Sequence, residues 1–268
     1  MHPILLELNT PDIFNSFLPP KIKIYSYGIF IALGVLLSFF FCLKRTKDFG
    51  VTRGQLENLF LNSILMAFIG GKLFYFLQNP NKYIEQPQLM LKNLGSGFVF
   101  YGSLIFTVPF IIYWLRRRKI AVRSFLDILA FVGPILHIFG RLGCFMAGCC
   151  YGKVCNNFLG VEFTDSLSKA KPLNTSLYPT QLFDIVVNLG IFILLYFIGK
   201  RKKFEGQLFL IYISAYAIGR SIIEIFRGDS ERGFIFGSIS HSQFIAIILL
   251  SIVIYFYRKW SKLPIINQ

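Results

Sequence analysis

Seven long apolar runs constrain this chain more than any other feature. A helix rises 1.5 Å per residue, so about 20 apolar residues cross a bilayer. Runs close to that length occupy residues 25–43, 56–77, 97–115, 123–145, 179–198, 206–226 and 239–257. Pro109 and Pro134 interrupt the third and fourth, which membrane helices tolerate when neighbours satisfy the freed carbonyls. Only 15% of the residues are charged, against roughly a quarter in soluble domains, so an ordinary soluble core is excluded. The pattern predicts an all-α integral membrane protein. It reads as a single polytopic domain over 1–268, a bundle of about seven transmembrane helices with one long loop at 146–178.

The net charge of +15 would suggest nucleic acid in a soluble protein. Here the basic residues sit in short clusters between apolar runs, which fits a membrane surface and no nucleic acid. Segments 44–55, 116–123, 199–205 and the stretch after 257 hold 16 Lys and Arg. The alternate segments hold 9, spread over longer stretches. The positive-inside rule then places the N-terminus outside and the C-terminus in the cytoplasm, with loop 146–178 outside. The opening MHPILLELNTPDIF lacks a basic n-region and a long apolar core, so no cleavable signal peptide is expected.

Ionisable residues inside spans are costly and read as a site. With this orientation Lys72, Arg141, Arg220 and Glu224 stand near the outer ends of outward-running helices. Tyr27, Tyr101 and Asp184 stand near the starts of inward-running ones, so all seven fall in the outer third of the bilayer. Arginine grips a phosphate bidentately and keeps its charge, which suits an anionic lipid headgroup. Lys72 reads instead as a cation snorkelling to the interface. Arg220, Glu224 and Arg227 recur at i, i+4 and i+7 on one helix face. Glu224 then either orients both arginines or belongs to a structural ladder. His137, one turn deeper than Arg141, is either a general base or a core histidine donating to a carbonyl.

Gly140, Gly143 and Gly148 around Arg141 suggest a backbone-lined cavity, and Gly70-Gly71 a close helix contact. Four of the five cysteines form the run Cys144-x4-Cys149-Cys150-x4-Cys155. That spacing matches no common zinc pattern, so packed thiols or one disulfide are expected there rather than a metal.

Several segments together resemble a known family. HPILLEL with IYSYGIFIALG, then GGKLFYFLQNP, GFVFYGSLI, GRLGCFMAGCCYGK, YPTQLFD, GRSIIEIFRGD and ISHSQF are similar, in this order, to segments of the prolipoprotein diacylglyceryl transferases. These are bacterial membrane enzymes that start lipoprotein maturation. The resemblance runs essentially end to end. It puts Tyr27 on the family's Tyr-Gly, Arg141 on its essential arginine and Gly152 on the closing glycine of its signature. Arg220, Glu224 and Arg227 fall on its arginine–glutamate–arginine ladder.

The resemblance implies transfer of diacylglyceryl from phosphatidylglycerol to the lipobox cysteine thiol in the signal peptide of a preprolipoprotein, releasing glycerol 1-phosphate. It implies no metal or nucleotide cofactor. It places the chain as a multi-pass protein of the bacterial cytoplasmic (inner) membrane, whose partners are phosphatidylglycerol, those signal peptides and the bilayer. Tyr101 stands where the family usually has the histidine proposed as base, Cys144 where it has asparagine, Cys149 where it often has glutamate, and Tyr178 where it has histidine. The base role therefore falls to His137 or Tyr101, and substrate binding to Arg141, Arg220, Glu224, Arg227, Tyr27 and Gly152. Rival readings are a lipid-binding relative with lost or altered activity, a transporter, and an outer-face thiol redox or metal protein.

Overall fold

A computed structural model describes residues 2–9, 21–93, 97–228, 234–235 and 239–263. Most of segment 227–238, expected to lie outside, falls beyond the described residues. The chain opens with an antiparallel pair, β1 (Ile4–Asn9) and β2 (Lys21–Tyr25), which leads into α1 (Ser26–Leu43). There follow α2 (Arg53–Leu77), the short α3 (Pro80–Glu85) and α4 (Gln88–Lys92), α5 (Phe100–Arg117) and α6 (Val122–Ala147). A two-residue ladder of β3 (Val161–Glu162) and β4 (Ser176–Leu177) precedes α7 (Thr180–Gly199) and α8 (Gln207–Glu224). The pair β5 (Phe234–Ile235) and β6 (Ile239–Ser240) precedes α9 (His241–Trp260).

Five helices are long and apolar enough to cross a membrane: α1, α2, α6, α7 and α9 from Ser242. Helices α5 and α8 are each 18 residues long. Their hydropathy is diluted, in α5 by the terminal Arg116 and Arg117 and in α8 by Gln207, Arg220 and Glu224. Both prolines expected as interruptions lie inside helices, Pro109 in α5 and Pro134 in α6. Rows of Leu, Ile and Phe on these helices are exposed, among them Leu36, Phe40, Ile64, Leu65, Ile193 and Phe197. Side chains of this kind face lipid in a multi-pass membrane protein.

The chain divides into two compact units, one of residues 42–125 and one of 1–41 with 126–268. In the first, α2 packs against α5 at a pair of glycines. A Cβ on Gly70 would lie 2.3 Å from the Gly102 carbonyl oxygen, and one on Gly102 2.4 Å from that of Gly70. The backbones therefore touch, as small-residue membrane contacts allow. Ser103 Oγ donates to Ala67 O at 2.8 Å across this contact. Lys72 does not snorkel. It is buried, and its Nζ donates to Asn93 O at 2.9 Å and Gly97 O at 2.8 Å, tying down the loop before α5.

In the second unit Ala130 and Phe131 of α6 pack with Ile191 and Leu195 of α7 and with Leu208 and Tyr212 of α8. Asp127 of α6 caps α8: its carboxylate accepts from Gly206 N at 2.9 Å and Leu208 N at 2.8 Å. These donors belong to the first turn of a helix and have no intrahelical partner. Loop 146–178 carries its own small core of Phe163, Ala170 and Leu177.

Candidate active site

Helix α6 aligns His137, Arg141 and Cys144 at i, i+4 and i+7, so one face presents all three. Helix α7 answers with four buried polar residues in an otherwise apolar stretch: Thr180, Gln181, Asp184 and Asn188. Arg141 Nε meets Asp184 Oδ2 at 2.9 Å. Asn188 Nδ2 donates to Asp184 O at 2.8 Å, which turns its Oδ1 toward His137 Nδ1 at 3.3 Å. An amide oxygen only accepts, so Nδ1 carries the proton and Nε2 the lone pair. The imidazole also stacks near Tyr216 of α8, with ring centroids 4.6 Å apart.

Helix α8 brings Arg220 and Glu224 together, Nη2 to Oε2 at 2.5 Å. The helix stops at Glu224, so Arg227 does not share its face as the spacing predicts. A backbone bridge holds it instead. Gly152 pairs with Arg227, Lys153 N donates to Phe226 O at 2.9 Å, and Gly152 N donates to Tyr178 O at 2.8 Å. A Cβ on Gly152 would lie 2.5 Å from Phe226 O and 2.7 Å from Tyr178 Cβ. Gly152 is therefore a packing residue at the junction of loop, α7 and α8. Asp184 lies within electrostatic reach of Arg141, Arg220 and Arg227 alike. Three guanidiniums thus gather around two carboxylates, which leaves an excess of positive charge. Nη1 of Arg220 is buried and has no hydrogen-bond partner among the described residues.

Two of the glycines near Arg141 serve close approach and chain reversal. Gly143 lets α1 approach, since a Cβ there would lie 2.9 Å from Tyr27 Cδ2 and 3.1 Å from its Cα. Gly148, at φ 70°, ends α6. Its N–H reaches Phe145 O and that of Cys149 reaches Cys144 O, the paired bonds of a Schellman cap. Cys150 follows at φ 64°, a left-handed conformation uncommon for a side chain. Gln181 Nε2 donates to Cys149 O at 2.7 Å and Thr180 Oγ1 to Cys150 O at 2.6 Å, holding the turn. Cys144, Cys149 and Cys150 thereby come together, while Cys155 is buried apart against Ser176. Hydrogen bonds from the Cys144 and Cys149 thiols hold the Cys150 thiol well below the usual range, and Arg227 and Arg141 add to this.

Tyr27 is part-exposed at the start of α1, within electrostatic reach of Arg141. Tyr101 lies in the first turn of α5, in the 42–125 unit, and is 70% exposed. Sequence reasoning did not name Thr180, Gln181 or Asn188. Their signal is polar residues recurring on one face of an apolar helix.

Residues 14–258 match the family described as prolipoprotein diacylglyceryl transferase. The chain belongs to that family. It is 36% identical over 249 residues to the phosphatidylglycerol–prolipoprotein diacylglyceryl transferase of Clostridium tetani, covering 92% of this chain and 96% of the relative. It is 35% identical to transferase 2 of Clostridium perfringens (85% and 88% covered) and to the Rickettsia bellii transferase (87% and 89%). In this prolipoprotein diacylglyceryl transferase family member the guanidinium cluster is built from α6, α8 and the residues just after α8.

Proposed function

We infer that this chain is a diacylglyceryl transferase that moves diacylglyceryl from phosphatidylglycerol to a prolipoprotein in bacterial lipoprotein maturation. The observation that carries the reading is the excess positive charge of Arg141, Arg220 and Arg227 around Asp184 and Glu224. Phosphatidylglycerol is an anionic lipid, and its phosphate completes that balance. Arg141, Arg220 and Arg227 hold the phosphate while Asp184 and Glu224 orient the guanidiniums. Tyr27 and Gly152 shape the edge of the site.

The acceptor is the lipobox cysteine of a preprolipoprotein signal peptide. Its sulfur attacks the diacylglyceryl carbon, a C–S bond forms, the C–O bond to phosphate breaks, and glycerol 1-phosphate leaves. Guanidiniums placed at the phosphate favour the charge that develops there. The thiol proton passes to His137 Nε2 or to Tyr101. The chain works as one membrane domain in the cytoplasmic membrane. Its seven long helices span the bilayer, with the N-terminus and loop 146–178 outside and the C-terminus inside.

The test is transfer from phosphatidylglycerol with labelled acyl chains to a lipobox peptide in membranes. Thiol-dependent labelling that falls about 10²–10³-fold in Arg141→Ala is the expected result. Lipid binding with no labelling in the wild type would favour the second reading, a relative whose substituted positions, Tyr101 and Cys144 among them, have lost the chemistry.

A further inference from the structure

We propose that Cys144, Cys149 and Cys150 form a three-thiolate site for one zinc-class ion, whose open fourth position takes the acceptor thiol. The proposal rests on the transferase reading for its acceptor alone. The three sulfurs lie within 4.8 Å of one another. A tetrahedral ion with Zn–S of about 2.3 Å needs sulfurs about 3.8 Å apart, which small side-chain rotations supply. The chain spacing gave no such signal, because the trio is gathered by the fold. The Schellman cap places Cys149 over Cys144, and the left-handed turn at Cys150 brings the third sulfur back.

That conformation costs on the order of 1–3 kcal/mol and persists where its surroundings enforce it. Here Gln181 and Thr180, both fully buried, hold the carbonyls of Cys149 and Cys150. The site is therefore built from outside its own loop. Cys155, the remaining cysteine of the run, is turned away toward Ser176. Among the described residues these three thiols are the ligands so gathered, and three protein ligands with the fourth position left to water or substrate are the mark of a catalytic zinc site rather than a structural one.

The placement matches the reaction. A thiol must lose its proton to become the nucleophile, and a thiol bound to zinc is deprotonated outright. The acceptor S–H would coordinate as thiolate, its proton passing to His137 or solvent. That sulfur then forms the C–S bond as the C–O bond to phosphate breaks, and the thioether, a weaker ligand, departs. Four thiolates around one divalent ion carry net negative charge, and Arg141 and Arg227 lie within electrostatic reach of Cys150.

The experiment uses the full chain purified in detergent under reducing conditions and loaded with Zn²⁺ or Co²⁺. About one ion per chain is expected, with sulfur-to-cobalt charge-transfer absorption. Cys144→Ser and Cys150→Ser should each weaken binding at least tenfold, Cys155→Ser should not, and melting curves report whether each variant folds. A lipobox peptide bearing Cys should shift the cobalt spectrum, and the same peptide with Ser should not. Removing the ion should lower transfer, and Zn²⁺ should restore it. No ion bound by reduced wild type, or a Cys144–Cys149 disulfide in protein isolated from membranes, overturns the site. Ion binding without a shift from the Cys peptide overturns the acceptor role. A shift with no transfer from phosphatidylglycerol leaves the metal site standing and removes the transferase reading instead.

Discussion

At the residue scale, the arginines depend on carboxylates that fix their planes. Asp184 is almost wholly buried, and Arg141 meets it through Nε while Tyr216 of α8 hydrogen-bonds the same guanidinium. Asp184→Asn removes the charge and keeps the shape. Transfer should drop about 10²-fold, the scale of a small misplacement of a binding group, and titration of transfer against lipid will show it. Arg141→Lys should not support full activity, because an ammonium keeps the charge but lacks the rigid planar fork that holds a carboxylate and a phosphate in fixed geometry. If His137 or Tyr101 is the base, His137→Gln or Tyr101→Phe costs about 10²–10⁴-fold. Near-full rates in both variants would reject the assignment. Arg141 and Arg220 were legible in the sequence because a charge in an apolar run is conspicuous. Lys72 misled, since snorkelling and a loop tie look alike until the carbonyls of Asn93 and Gly97 are seen. The meeting of the three thiols was invisible, because it depends on two left-handed residues, Gly148 and Cys150.

At the element scale, two features outside the site hold it in place. Among the described residues, Asp127 alone accepts through its side chain from the first turn of α8. Asp127→Asn should lower stability by about 1 kcal/mol, the ordinary worth of a helix cap, measurable as a lower melting temperature in detergent. Gly152 joins the loop to Phe226, and a methyl there would strike backbone rather than a flexible side chain. Gly152→Ala should therefore displace Arg227 and abolish most transfer while circular dichroism stays helical. A variant with full activity would show that the bridge can shift without consequence. Helix positions were legible to within about three residues, because apolar runs mark them directly. The end of α8 was overrun by two residues, since Ile225 and Phe226 continue the apolar pattern while a backbone bridge takes over the chain. The small core of loop 146–178 was likewise hidden among Gly, Pro and Asn.

At the scale of the molecule, the proposed orientation makes a direct prediction. Phe158, in the loop before β3, is 95% exposed. Phe158→Cys should react with a membrane-impermeant maleimide on intact cells, and Lys262→Cys only after permeabilisation; the reverse pattern would overturn the topology. The count of apolar runs and the bias of Lys and Arg carried this reading, whereas the division into two units needed coordinates. The charges of α8 also bear on how such a chain is made. An arginine costs roughly 2.5–3.5 kcal/mol at the centre of a lone helix entering a bilayer and less toward its end, where Arg220 lies. Asp184, which lies within reach of Arg220, is on α7 and leaves the ribosome earlier. The acid is thus already in place when the base arrives. The sequence of helices along the chain is also a schedule for synthesis, and a circular permutant that made α8 first would strand its arginine at the translocon.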